Sequence, residues 1–309
     1  MSGIGAAARD QGVAADKYAS MAAATALTAI LFPGQGSQTP EMAAVTADQL
    51  PDLLERVRTE LGDDPFARIG DGTAFAQPAI FCASLAYWER AGNPAGQMCA
   101  GHSLGELAAL VAGGALDAEE GLRLAIVRGR LMEEAAAERP GGMLAVLGGE
   151  DAAVRALAER FDLAVANENA PGQVVLSGEL EPLGEARRQL RADRVKAIRL
   201  PVAGAFHSPL MVDAAKRFRA ALEQVEFSPP QTPVFSSTAA APFDEPRDRL
   251  AAALTQPVRW PATLRAMHEA GADSFLETGP GDVLTGLNRR TLPEVECRSL
   301  ADEPEAVHA

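Results

Sequence analysis

Ala100-Gly101-His102-Ser103-Leu104-Gly105-Glu106 decides how the rest of the chain is read. It contains Gly-x-Ser-x-Gly, the turn that delivers a serine nucleophile between a strand and a helix. The two glycines let an extended segment turn at once into a helix without a Cβ clash. The Ser103 hydroxyl then lies at a helix N-terminus, where backbone N–H groups and the helix dipole favour negative charge. The chemistry served is acyl transfer through an acyl-serine. Taken alone, the motif also fits a tight turn with no chemistry. An apolar strand pattern over 97–100 and a helical pattern over 103–113 supply the context that the nucleophile reading needs.

Working outward, residues 27–32 read as the first core strand, ending in the glycine-rich loop 33–38. Residues 50–61 form an amphipathic helix pattern. Gln77-Pro78 opens an apolar helix reaching Arg90, and a long helix over 118–136 carries Arg128. The texture then changes to strand 143–147, helix 151–160, strands 163–166 and 174–177, helix 182–190 and strand 195–200. This β-α-β-β-α-β order is ferredoxin-like, and it places an inserted subdomain at 141–203. Beyond it come a loop at 203–209 holding His207, a helix at 212–225, a strand at 234–236, a helix at 261–270 and a strand at 274–277. Strands alternating with helices imply a parallel sheet covered on both faces. A large α/β domain therefore spans 27–140 and 204–300, with a flexible extension at 1–26 and a tail at 301–309.

The chain of 309 residues is long enough for such an arrangement, and its 47% hydrophobic and 5% aromatic content is that of a globular α/β protein. A net charge of -14 argues against nucleic acid, which needs a basic footprint. No apolar run approaches the roughly 18–20 residues of a membrane span. Cys82, Cys99 and Cys297 show no metal-ligand or Cys-x-x-Cys spacing and fit reduced thiols in a cytosol.

A serine nucleophile needs a base, usually histidine. The candidates are His102, His207, His268 and His308. His102 adjoins Ser103 and cannot easily fold its ring back onto the hydroxyl; packing suits it better. His268 lies among polar positions of a helix, and His308 is in the tail. His207, in a loop between a strand and a helix, is the best base by elimination. An α/β-hydrolase would place its histidine late, after the last strand. Here about a hundred residues follow His207, which disfavours an esterase.

At this point the chain resembles a malonyl-CoA:acyl carrier protein transacylase of fatty acid and polyketide synthesis. The resemblance rests on Phe32-Pro33-Gly34-Gln35-Gly36-Ser37-Gln38, Gln77-Pro78-Ala79, Gly101-His102-Ser103-Leu104-Gly105-Glu106 and Arg128-Gly129. It continues through Asn167, Asn169-Ala170-Pro171-Gly172-Gln173, Gly204-Ala205-Phe206-His207-Ser208, Pro257-Val258-Arg259-Trp260 and Gly279-Pro280-Gly281. These occur in family order from Leu27 to Arg290. The resemblance implies a hydrolase-like parallel core with an inserted ferredoxin-like α+β subdomain and the active site between them.

It also implies roles. Ser103 would be the nucleophile and His207 the base, with the backbone N–H groups of Gln35 and Leu104 forming the oxyanion hole. Arg128 would bind the free carboxylate of a malonyl group, since its planar fork suits bidentate carboxylate binding. A snorkelling surface arginine is the plain alternative. Gln77 and Asn167 would line the substrate. Phe206 beside His207 matches the malonyl-selective pattern, because a bulky ring crowds an α-methyl branch. In relatives, the carbonyl that orients the histidine belongs to a glutamine; here Ala253 takes the matching position, and Gln256 lies just before Pro257.

The expected reaction is ping-pong transfer of malonyl from malonyl-CoA to the phosphopantetheine thiol of an acyl carrier protein. It involves no metal or other cofactor and takes place in a cytoplasmic monomer. The alternatives are an acyl hydrolase or editing thioesterase of the same fold, or a non-catalytic docking subunit of a synthase. Arg128 argues against editing of neutral chains, and joint retention of Ser103, His207 and Arg128 argues against an inert subunit. An acidic carrier protein would need local positive charge. Arg187, Arg188, Arg191, Arg194, Lys196 and Arg199, together with Arg289 and Arg290, fit either that role or an ordinary solvated face.

Overall fold

The computed structural model describes residues 27–301. The extension expected over 1–26 and the tail from 302, including His308, lie outside the described residues. β1 (Leu27–Phe32) leads into helices α1 (Met42–Gln49), α2 (Pro51–Leu61) and α3 (Thr73–Arg90). β2 (Met98–Gly101), α4 (Gly105–Ala112) and α5 (Ala118–Glu138) follow. Next come β3 (Gly141–Leu147), α6 (Asp151–Arg160), β4 (Ala164–Ala170), β5 (Gln173–Glu179), α7 (Leu180–Ala192) and β6 (Lys196–Arg199). The chain then passes through a 3-10 turn (Pro209–Met211), α8 (Val212–Leu222), β7 (Val234–Ser236), β8 (Ala241–Pro242), α9 (Pro246–Ala252) and β9 (Val258–Arg259). It finishes with α10 (Trp260–Glu269), β10 (Ala272–Glu277), α11 (Val283–Thr291) and β11 (Glu296–Ser299).

Ala29, Ile30, Leu31 and Phe32 are all buried, as a central strand covered on both faces requires. They sit in a sheet ordered β11-β10-β1-β2-β7-β8. Every pair in it is parallel except β7–β8, a short antiparallel ribbon at the edge. Phe32 pairs with Gly101, so β1 and β2 end side by side. The loop after β1 and the serine turn after β2 therefore leave the sheet together at its carboxyl edge, where open α/β sheets place their ligands.

The second sheet is ordered β6-β3-β5-β4-β9. Its first four strands are antiparallel neighbours. This is the arrangement a β-α-β-β-α-β segment adopts when both helices cover one face. Val154 and Ala158 of α6 and Leu183, Ala186 and Leu190 of α7 pack there against Leu144, Val146 and Leu176. β9 comes from the chain of the large layer, yet it pairs in parallel with β4 through Asn167↔Val258 and Glu168↔Arg259.

Several boundaries differ from the sequence reading for physical reasons. α3 starts at Thr73, not Gln77, and Pro78 lies inside it. The first turn is held by tertiary bonds: Thr73 Oγ1 donates to Gly129 O at 2.9 Å, and Ala74 N donates to Glu133 Oε2 at 2.9 Å. β4 runs on to Ala170 because β5 and β9 pair with its polar residues. α1, α9, α11, β8, β9 and β11 were not anticipated. Most are short, and β8 and β9 hold too few residues to display a period.

Candidate active site

The turn after β2 is forced by packing as well as by backbone angle. A Cβ on Gly101 would lie 1.9 Å from Gly105 C, and one on Gly105 would lie 2.1 Å from Phe32 O. Ser103 sits at φ +54°, in the left-handed region that costs a non-glycine residue about 1–3 kcal/mol. The turn directs its hydroxyl at two side chains. Ser103 Oγ is 2.8 Å from His207 Nε2 and accepts from Arg128 Nη2 at 3.0 Å.

His207 is 4% exposed and also left-handed, at φ +56°. Its Nδ1 lies 2.8 Å from Ala253 O and 3.1 Å from Gln256 O. Both partners can only accept, so Nδ1 carries the proton and Nε2 is free to accept from the serine hydroxyl. The two backbone candidates left open by the sequence thus share one N–H, with Ala253 the shorter contact. Burial is the largest influence on the imidazole and the Arg128 cation the second; His102 adds to them, and the pKa falls to about 3. The ring is therefore a neutral base at ordinary pH.

Arg128, on α5, is 3% exposed, which removes the snorkelling alternative. Burial lowers its pKa to about 10, so it remains cationic. Its Nη1 donates to Gln77 Oε1 at 2.8 Å. Gln77 in turn donates from Nε2 to Met132 Sδ at 3.2 Å and to Gln35 Oε1 at 3.3 Å. Gln77 is completely buried behind the guanidinium and orients it. Gln35 is exposed at the tip of its loop and Leu104 is buried at the start of α4. Among the hydrogen bonds of the described residues, neither backbone N–H has a protein acceptor. Ser37 Oγ donates to Gly34 O at 2.8 Å and closes that loop.

His102 donates from Nε2 to Asn169 Oδ1 at 2.9 Å and meets Trp260 edge-on, with ring centroids 5.4 Å apart. Asn167, two residues earlier on β4, is buried and pairs with Val258. Phe206 is buried beside His207, its ring close enough to Gly204 that a Cβ there would lie 2.3 Å away. His268 is exposed and bonds Ala272 O at 2.7 Å, away from this cluster.

Glu106 and Asn169 fall within sequence motifs that gave them no role of their own, and Ser236, Ser237 and Met132 were not singled out by the sequence. Glu106 carried a signal: a carboxylate just before the apolar run Leu107-Ala108-Ala109-Leu110 needs a buried partner. The basic residues split into two groups. Arg187, Arg188, Arg191, Arg194, Lys196 and Arg199 are exposed on α7, the following turn and β6. Arg290 donates to Pro171 O at 3.0 Å and Arg289 to Cys297 O at 3.4 Å.

A serine with a neutral histidine base and a buried cation 3.0 Å away can accept and pass on an acyl group that bears a negative end. The Acyl transferase domain family matches residues 64–304. The chain is 36% identical to the malonyl CoA-acyl carrier protein transacylase of Escherichia coli, over 91% of this chain and 97% of that protein. It is 40% identical to the polyketide biosynthesis protein ThaF of Burkholderia thailandensis over 86% of this chain, which spans 24% of the length of ThaF. Among solved structures it is similar to a malonyl-transacylase in complex with its type II PKS acyl-carrier protein. That match has a TM-score of 0.83 and 34% identity, covering 90% of this chain and 97% of that one.

Proposed function

The chain belongs to the acyl transferase domain family, and on that premise we propose that it moves a malonyl group from malonyl-CoA to the phosphopantetheine thiol of an acyl carrier protein. The observation that carries the substrate assignment is the buried Arg128 guanidinium 3.0 Å from Ser103 Oγ. Esterified on Oγ, a malonyl group holds its free carboxylate one methylene beyond the acyl carbon, within reach of that guanidinium. A neutral acyl chain would offer that guanidinium no carboxylate to bind.

Ser103 Oγ attacks the thioester carbonyl as His207 Nε2 takes its proton. The oxyanion forms against the Gln35 and Leu104 N–H groups, each such donor contributing about 2.7–4 kcal/mol in comparable sites. The C–S bond breaks, and the coenzyme A thiol leaves with the proton from His207. The carrier thiol then gives its proton to His207 and attacks the malonyl-serine; the ester C–O bond breaks, and Ser103 Oγ takes the proton back from His207 Nε2. His207 carries every proton, so the scheme calls for no metal or redox group. Gln77 orients the arginine, and Asn167 and Phe206 bound the acyl chain. The chain acts as a monomer in the cytoplasm; the buried free thiols Cys82, Cys99 and Cys297 fit that compartment, and no described helix is long and apolar enough to cross a membrane. The exposed basic residues of α7 and β6 offer the acidic carrier a docking face.

Intact mass after brief mixing with malonyl-CoA tests the scheme. A malonyl adduct is expected on the unaltered chain, absent from Ser103→Ala, and discharged by added carrier protein. Release of free malonate with no transfer to the carrier would replace the transferase by a hydrolase.

A further inference from the structure

The scheme above leaves one buried charge unused. Glu106 lies one turn beyond Ser103 on α4 and is 1% exposed. Its Oε1 accepts from Ser237 N at 2.7 Å, Ser237 Oγ at 2.9 Å and Ser236 Oγ at 3.3 Å. All three donors are neutral. They satisfy the oxygen without balancing its charge, and a buried carboxylate is costly unless a cation lies within electrostatic reach. Arg128 has the complementary problem. It is buried and hydrogen-bonded to Gln77 and Ser103, yet no carboxylate within 4.0 Å pairs with it among the described residues. Both groups lie around Ser103, Glu106 one turn along its helix and Arg128 bonded to its hydroxyl at 3.0 Å, and each opposes the effect of burial on the other: burial raises Glu106 to about 7 while Arg128 works against the rise, and Glu106 works against the fall of Arg128.

We propose that Glu106 is a positioning residue for Arg128, a counter-charge anchored on Ser236 and Ser237 with which an incoming malonyl carboxylate must share the guanidinium. The inference rests on the malonyl reading of the site and deepens it. In the empty site Arg128 favours the charged form of Glu106. With substrate bound, Arg128 faces two anions and holds each less strongly than it would hold one. A moderated grip suits a cycle in which the malonyl group arrives as one thioester and must leave as another.

The test compares kcat/KM for malonyl-CoA and acetyl-CoA in two variants. Glu106→Gln keeps an oxygen acceptor for the three donors and removes the charge. It should raise the malonyl-to-acetyl ratio by about threefold to tenfold, mainly through a lower KM for malonyl-CoA. Ser237→Ala leaves the carboxylate in place but withdraws one donor from its charged form; the ratio should rise less, and this variant carries the test if Glu106→Gln does not fold. A purely structural Glu106 would slow both thioesters equally. A ratio at or below that of the unaltered chain in the folded variants overturns the proposal. If the unaltered chain shows no preference for malonyl-CoA, the reading of Arg128 fails first and Glu106 falls with it.

Discussion

Arg128 and His207 converge on one oxygen: the guanidinium donates to Ser103 Oγ across 3.0 Å, and the imidazole Nε2 lies 2.8 Å from the same atom. A cation beside the base is the second cause, after burial, of an imidazole pKa near 3. The histidine stays neutral as pH falls through its ordinary value near 6.5, so kcat/KM should show no acid limb at that pH. Arg128→Ala removes the cation and moves the limb upward. pH–rate profiles with acetyl-CoA, which has no carboxylate for the arginine to bind, from about pH 2.5 to 8 check this. An unshifted limb in the variant would remove Arg128 from the control of the base.

Arg128→Ala should also cost malonyl-CoA about 2–5 kcal/mol of transition-state binding, because the substrate carboxylate would be desolvated without its partner. Acetyl-CoA should change far less. Lysine cannot restore the loss fully, since one ammonium cannot serve both Gln77 and the ligand as the fork does. Single-turnover loading of the two thioesters measures the split. Equal losses with both would make the arginine a structural residue.

The left-handed backbone at Ser103 gives a stability prediction. Ser103→Gly and Ser103→Ala both remove the nucleophile, but glycine adopts φ +54° without a Cβ penalty. The glycine variant should unfold at the higher temperature, by the equivalent of about 1 kcal/mol. Thermal melts of the two inactive proteins decide it. A less stable glycine variant would mean that the turn holds no strain.

Phe206→Ser should open space beside His207. Room for one methyl is worth about 1–3 kcal/mol, so the malonyl preference over methylmalonyl should fall by roughly 10- to 200-fold. Competition between the two thioesters in one reaction reads the ratio directly. An unchanged ratio would place the ring outside the acyl pocket.

The parts of this site visible in the sequence are those that need special residues. Gly101 and Gly105 stand where any Cβ would collide with backbone, so they leave a mark. His207 was reachable by elimination among few histidines. What holds His207 was not, because Ala253 O and Gln256 O are backbone atoms that any side chain could carry. β9 escaped notice for a related reason. Two residues show no period, and their strand character comes from the β4 edge they meet. Pro78 misled the reading of α3, since proline usually marks a helix start, whereas Thr73 and Ala74 are held by bonds to α5.

The pairing of Val258 and Arg259 with Asn167 and Glu168 ties the segment that carries the Ala253 and Gln256 carbonyls to the second sheet. A jaw-like opening between the two sheets would pull on this splice and drag the imidazole from the serine. The serine–histidine pair is therefore kept together only while the two sheets keep their mutual position. A cross-link stapling the two sheets together should leave the enzyme running.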